Sequence, residues 1–171
     1  HPAVVGRGYH QPHLTHLPRC TFPHGCPVPL IETIPIPGAP EIQIMQTVTE
    51  QQIKTQIEAE LGSMDLVNGG HLDGEARLYK LHNALGDVGF ISSVTEPFCA
   101  SCSRARLTAD GRLRLCLLRE GEVDLLTPLR AGATQSDLRD VVINALWNKP
   151  WGHGLADGII PMNRAMSEIG G

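Results

Sequence analysis

The sequence predicts a mixed α/β fold whose C-terminal half is mostly antiparallel sheet, and three observations carry that prediction. Two stretches, residues 48–61 and 135–148, repeat apolar side chains at helical spacing. Around them lie short runs rich in Leu, Ile, Val and Phe, bounded by Gly, Pro, Asp and Asn, as strands are. Two of these runs alternate Arg with apolar residues on either side of Asp110-Gly111, the mark of a hairpin.

Composition bounds what such a fold can be. The chain has 171 residues, 42% hydrophobic but only 4% aromatic, so its core is aliphatic and modest. With 18 glycines and 13 prolines, much of it must be turn and connector. Formal net charge is -4 with no long acidic or basic run, which argues against general adhesion to nucleic acid or to an anionic membrane. No apolar run approaches bilayer length and the N-terminus lacks a basic-then-apolar signal pattern, so the expectation is a cytoplasmic chain with reduced thiols. Its 5 cysteines, an odd number, suit a disulfide framework poorly.

Residues 1–29 are dense in histidine and proline, with Pro2, Pro12, Pro18, Pro23, Pro27 and Pro29 and no sustained period; they read as an irregular leader. Residues 30–36, "LIETIPI", form a short strand that needs a partner and is closed by Pro35 and Pro37. In the first helix Ile53, Ile57 and Leu61 make the buried stripe. Thr49 caps it with Gln52 three residues on, Val48 staples onto Ile53, and Gly62 ends it. Strands follow at 76–81 and 87–94, then at 104–109 and 112–118 around the Asp110-Gly111 turn. The last helix is capped by Thr134 with Asp137, presents Leu138, Val141, Val142, Ala145 and Leu146 on one face, and stops before Pro150.

Chemistry gathers at the hairpin. Cys99 and Cys102 form a C-x2-C, and Cys116 follows after thirteen residues on the returning strand, so three soft ligands converge. Spacing leaves the occupant open. Zinc would take a fourth ligand, which His153 or His82 could supply; an iron–sulfur cluster is held by cysteines; a disulfide would employ two of the three and leave one spare.

The same stretch gathers positive charge. Between Cys99 and Arg119, residues Arg104, Arg106, Arg112, Arg114 and Arg119 face only Asp110. Side chains two apart in an extended strand share a face, so Arg104 and Arg106 point the same way directly after Cys102. A solvated strand face is the plain reading. Two guanidiniums so placed repel unless an anion joins them, and their forks suit phosphate or carboxylate, so beside a metal centre with an unfilled position a small-anion site is the better one.

The stretch "FISSVTEPFCASCSRARLTADGRLRLCLL" resembles the C-terminal part of the molybdenum cofactor biosynthesis protein A family, the GTP 3',8-cyclases, in its C-x2-C-x13-C motif, R-x-R strand and T-A-D-G turn. "LIETIPI" is similar to a barrel strand of that family, and the resemblance runs on to the closing "IGG". It implies radical S-adenosylmethionine chemistry with two 4Fe-4S clusters. One, in an N-terminal barrel, cleaves S-adenosylmethionine to a 5'-deoxyadenosyl radical; the other binds GTP. The radical takes hydrogen from the ribose C3', which attacks C8 of guanine and yields (8S)-3',8-cyclo-7,8-dihydroguanosine 5'-triphosphate.

Carried onto this chain, the resemblance makes Cys99, Cys102 and Cys116 the ligands of the second cluster, whose open iron seats the guanine edge. Arg104 and Arg106 then hold GTP, and Gly170 and Gly171 are the terminal double glycine needed for cyclisation. The implied fold is a C-terminal fragment of a partial (β/α) barrel followed by a mostly antiparallel sheet carrying the iron–sulfur site. Its divisions would be a leader at 1–29, the barrel end at 30–62, and an iron–sulfur and GTP-binding domain at 63–171. Implied partners are GTP, the barrel half, the downstream cyclic pyranopterin monophosphate synthase, and a second copy of the chain as a homodimer.

Two departures qualify the resemblance. Ser103 stands where the family usually has Asn. The C-x3-C-x2-C of the first cluster is absent, and Cys20 and Cys26 in "CTFPHGC" do not supply it. S-adenosylmethionine and the first cluster therefore enter only through a missing N-terminal half, and the chain is expected to be a fragment or a split-enzyme half, incomplete as an enzyme alone. The competing readings are a zinc-stabilised small-anion module that shares only the hairpin, and a nonfunctional remnant whose half barrel exposes strand edges.

Overall fold

The computed structural model describes residues 3–5, 16–34, 48–71, 74–155, 161 and 163–169. The chain forms two units, His1–Ile34 with Pro40–Phe98, and Pro35–Ala39 with Cys99–Gly171. The division falls between Phe98 and Cys99, so the strands before the cysteines belong to the first unit.

The first unit is built on a five-stranded mixed sheet. β1 (Ala3–Val5), β2 (Val28–Glu32) and β5 (Val88–Ile91) run parallel, while β4 (Arg77–Leu81) and β3 (Met64–Leu66) continue it antiparallel, in the order β1-β2-β5-β4-β3. Parallel neighbours need long crossovers. The β1–β2 connection carries two one-turn helices, α1 (His16–Arg19) and α2 (Thr21–His24), and the β2–β5 connection carries α3 (Glu50–Leu61) with β3 and β4.

Regular structure therefore occupies part of the expected irregular leader, and its prolines explain why pattern reading missed it. Pro18 and Pro23 sit inside single-turn helices, where their missing N–H groups would have had no intrahelical partner. Val28 donates to Asp87 on the β5 side at 2.9 Å, so by strand alternation the Pro29 nitrogen faces β1, whose pairing begins only at Leu30. The segment is also clamped from outside. Thr21, fully buried, accepts through its carbonyl from Leu85 and Gly86, both at 2.9 Å. A Cβ on Gly86 would stand 2.6 Å from the Cys26 carbonyl oxygen, so only glycine permits this approach.

Leu30, Ile53, Ile57, Leu81, Val88 and Phe90 form the centre of the first core. The stripe predicted on α3 packs here, with Leu61 half-buried at its end. Both predicted caps hold: Thr49 accepts from Gln52 at 3.2 Å, the Gln52 side chain accepts from Thr49 at 3.0 Å, and Gly62 follows the last turn with φ +95°. Two buried carboxylates brace the sheet. Glu50 accepts from Arg77 at 2.8 Å and Tyr79 at 3.2 Å, and Glu32 accepts the Val94 and Thr95 N–H groups at 2.9 and 3.0 Å. Among the described residues no helix is long and apolar enough to cross a membrane.

The second unit holds an antiparallel sheet of β6 (Arg106–Leu107), β7 (Arg112–Arg114) and β8 (Glu122–Asp124), then α4 (Leu126–Arg130) and α5 (Gln135–Trp147). The hairpin exists as predicted, but its turn differs. Thr108 N–H donates to the Arg112 carbonyl at 2.9 Å, leaving a three-residue loop in which only Gly111, φ +75°, is left-handed. A two-residue Asp-Gly turn needs positive φ at both positions, and Asp110 does not adopt it. The strands are also shorter than expected, so Arg104 precedes the ladder. On α5 the Thr134–Asp137 capping box forms, but Leu146 of the predicted apolar face is 44% exposed.

Two tests follow. Ile57→Ala should lower stability by about 2–5 kcal/mol, because the emptied site lies at the centre of the core; the urea midpoint reads this directly. Arg164 donates to Asp110 at 2.7 Å and, with the Thr108 hydroxyl, holds its carboxyl well below the usual carboxylate range. A lowered folded value contributes stability that is present at neutral pH and is lost as pH falls below about 4. Asp110→Asn should thus melt earlier than the parent at pH 7 and converge on it in acid.

Candidate functional site

The three hairpin cysteines lie on elements whose geometry follows from local bonds. Cys99–Ser101 is one turn of 3-10 helix, closed where Cys102 N–H donates to the Cys99 carbonyl at 3.2 Å. Both cysteines of the C-x2-C thus sit on one tight turn. β6 then leads away and β7 returns, paired Arg106 to Arg114 and Leu107 to Leu113. Continuing that register beyond the ladder sets Cys116 opposite Arg104, two residues from Cys102.

Cys116 is not itself in a strand, and Arg114 is the reason. Its side chain is 2% exposed, and a guanidinium so buried must find partners for its donors. Nε donates to the Cys116 carbonyl at 3.1 Å, Nη2 to Leu117 at 3.3 Å, and Nη1 to Glu122 at 3.1 Å. The carbonyls that a longer β7 would have spent on a ladder are bound to this side chain instead.

The same arrangement commits other arginines of the stretch to structural partners. Arg112 pairs with Asp124 and Arg114 with Glu122 directly across the β7–β8 ladder, while Arg119 donates to the Gly152 carbonyl at 2.7 Å. The acids of β8 lie just past the charged stretch, so reading that stretch by itself missed them. Arg104, exposed, and Arg106, half-buried, are the arginines next to the C-x2-C turn.

All three thiols are free and half-buried. Among the described residues no group of three or more His, Cys, Asp or Glu side chains stands close enough to hold one metal ion. The donor set nevertheless suits a cluster, because each thiolate of a 4Fe-4S centre binds a different iron and the sulfurs need not meet at one point. His82 is exposed in the first unit, and His153 uses Nδ1 to accept from Leu155 at 3.3 Å while its buried Nε2 has no hydrogen-bond partner. Cys20 and Cys26, also free, lie in the first unit; burial and the neighbouring Cys26 thiol push the Cys20 thiol up.

The C-terminal segment is tied to the same hairpin. Arg164 meets Glu122 at 2.7 Å and Asp110 at 2.7 Å, Asn163 donates twice to Glu120, at 3.0 and 2.9 Å, and Ile169 is buried. Gly170 and Gly171 lie outside the described residues. Lys149, at the end of α5, reaches the C-x2-C loop, where Nζ stands 3.5 Å from Cys102 Sγ and donates to the Arg104 carbonyl. Nothing in the local sequence marked Lys149 or Arg164, because their partners are 42 to 54 residues away.

Comparison with known proteins bears on this site. The family model described as Molybdenum Cofactor Synthesis C matches residues 26–155. The chain is 35% identical to the GTP 3',8-cyclase of Desulforamulus reducens, over 98% of this chain and 51% of that protein. It is 38% identical to that of Heliobacterium modesticaldum over 98% and 52%, and 49% identical to that of Rhodococcus opacus over 49% and 24%. The likeness to the first two takes in most of the residues read from sequence as an irregular leader. The chain spans about half the length of these two relatives. A hairpin that presents C-x2-C and a third cysteine beside an R-x-R, inside a match of this extent, makes the chain a member of the molybdenum cofactor biosynthesis protein A family, the GTP 3',8-cyclases, corresponding to its C-terminal part.

Proposed function

We propose that this chain is the GTP-binding part of a GTP 3',8-cyclase, with Cys99, Cys102 and Cys116 as ligands of a 4Fe-4S cluster. The observation that carries the reading is the hairpin: the chain leaving Cys102 and the chain approaching Cys116 run side by side, with Arg106 in the paired stretch. When bound, the cluster supplies an iron with an open position for the guanine edge. The protein's own residues do the rest of the binding. Arg104 and Arg106 offer forked donors to the triphosphate, while Arg112 and Arg114 are paired with the acids of β8.

Gly170 and Gly171 come directly after Ile169 in the sequence, and the proposal gives them the role in cyclisation that the family's double glycine has. Hydrogen removal from C3' and closure onto C8 require S-adenosylmethionine and a first cluster, which the proposal assigns to a barrel half. Among the described residues β1 pairs only with β2, and its outer edge is where a further parallel strand would add. The cytoplasm is the proposed location, because cluster thiols must stay reduced.

Anaerobic reconstitution of the full chain, with iron and zinc analysis and a GTP titration followed by electron paramagnetic resonance, tests the proposal. About four irons per chain and a GTP-dependent signal are expected; stoichiometric zinc with no iron would sink it in favour of the zinc-stabilised module. Cys102→Ala should lose the iron. Arg106→Ala should keep it while weakening GTP about 10- to 100-fold, the cost of a charge-assisted hydrogen bond. Parent-like GTP binding by Arg106→Ala would remove the arginine from the site.

A further inference from the structure

Lys149 follows Asn148, the C-cap of α5, and its N–H donates to the Leu146 carbonyl at 3.1 Å, so the end of the helix holds its backbone in place. The half-buried side chain then turns onto the C-x2-C segment. Nζ donates to the Arg104 carbonyl and stands 3.5 Å from Cys102 Sγ, joining residues 45 and 47 positions away. An ammonium has three donors and no acceptor, and a neutral thiol is a weak acceptor that returns little for ordering a lysine beside it. A thiolate is a far better partner. The contact sets an ammonium donor against the sulfur that the proposed function reads as a cluster ligand.

We infer that Lys149 is a positioning residue for the Cys102 ligand, donating a hydrogen bond to its sulfur and so raising the reduction potential of the 4Fe-4S cluster bound there. The inference rests on the cluster reading above. Hydrogen bonds to the sulfurs are one of the levers by which a protein sets such potentials. An added electron makes the sulfurs more negative, so a fixed donor with a positive charge stabilises the reduced form more than the oxidised one. The step is a one-electron reduction in which dithionite supplies the electron and no bond is made or broken. The second contact, to Arg104, orients the loop between the cluster ligand and the first nucleotide-binding arginine.

The test uses the full chain, reconstituted as parent, Lys149→Met and Lys149→Arg, with iron counted and the cluster titrated against dithionite under electron paramagnetic resonance. All three should hold equal iron. At the parent's midpoint, the reduced-to-oxidised ratio should fall about tenfold in Lys149→Met, about 59 mV for one electron, while Lys149→Arg stays close to the parent. A Lys149→Met chain with full iron and an unshifted midpoint overturns the inference. Iron lost from Lys149→Met overturns it, whether or not Lys149→Arg keeps its iron, since the side chain would then act in cluster assembly and not on the potential. A parent chain that takes up no iron overturns the cluster reading itself, and the inference with it.

Discussion

The second unit depends on one carboxylate shared by two arginines. Glu122 Oε1 receives both the buried Arg114 and Arg164, at 3.1 and 2.7 Å. A guanidinium carries only donors, so burial commits Arg114 to this acid and to the carbonyls of Cys116 and Leu117. Those bonds end β7, bend the chain at the third cysteine and hold β8 in register. Arg164 brings the segment before the terminal glycines onto the same acid. The path of the cysteine hairpin and the root of the tail are therefore set by one ionic junction, which a hydrophobic substitute of equal volume could pack but could not connect to backbone carbonyls.

The first unit uses buried acids in the same way with a different result. Glu50 opens α3 and binds Arg77 and Tyr79 of β4, so the helix start is tied to the strand it covers. Glu32 ends β2 and accepts two N–H groups from the turn after β5, fixing the start of the segment that leads to Cys99. Each carboxylate stands at the end of an element, where orphan donors gather and a charge-assisted bond contributes most. Apolar burial supplies the driving force, and these bonds choose among the packings that burial alone would allow.

How much of this was legible in the sequence follows from the range of each interaction. The α3 and α5 capping boxes span three residues, so Thr49 with Gln52 and Thr134 with Asp137 could be read directly. The hairpin was legible as a reversal because Gly111 is local, but its three-residue loop was not, since a Cβ at Gly111 would meet Leu126 at 2.6 Å in a contact no local pattern records. β1, α1 and α2 were invisible because β1 is held by a distant strand and the helices by the 84–87 turn, against the local preference of their prolines. At the site, the cysteines and the R-x-R were plain from spacing. The structural work of Arg112 and Arg114 was not, because charge counting takes no account of partners until the pairing register of β8 is known, and that of Arg119 was not, because its partner is the distant Gly152 carbonyl.

That register also bears on how an acidic chain would keep the proposed cationic site. Screening limits an exposed charge to about 8–10 Å in ordinary salt, so what a small anion feels is the local balance and not the net value. Arg112 and Arg114 spend their charge on β8, and α5 returns some by delivering Lys149 to Cys102. The helix spans about 20 Å, and its start is set by the Thr134–Asp137 cap at the far end. A surface capping pair thus fixes where an ammonium meets a cysteine sulfur. The positive charge beside the cysteines is placed by helix geometry as much as by the arginines of the motif, which is why the motif by itself underdescribes the site.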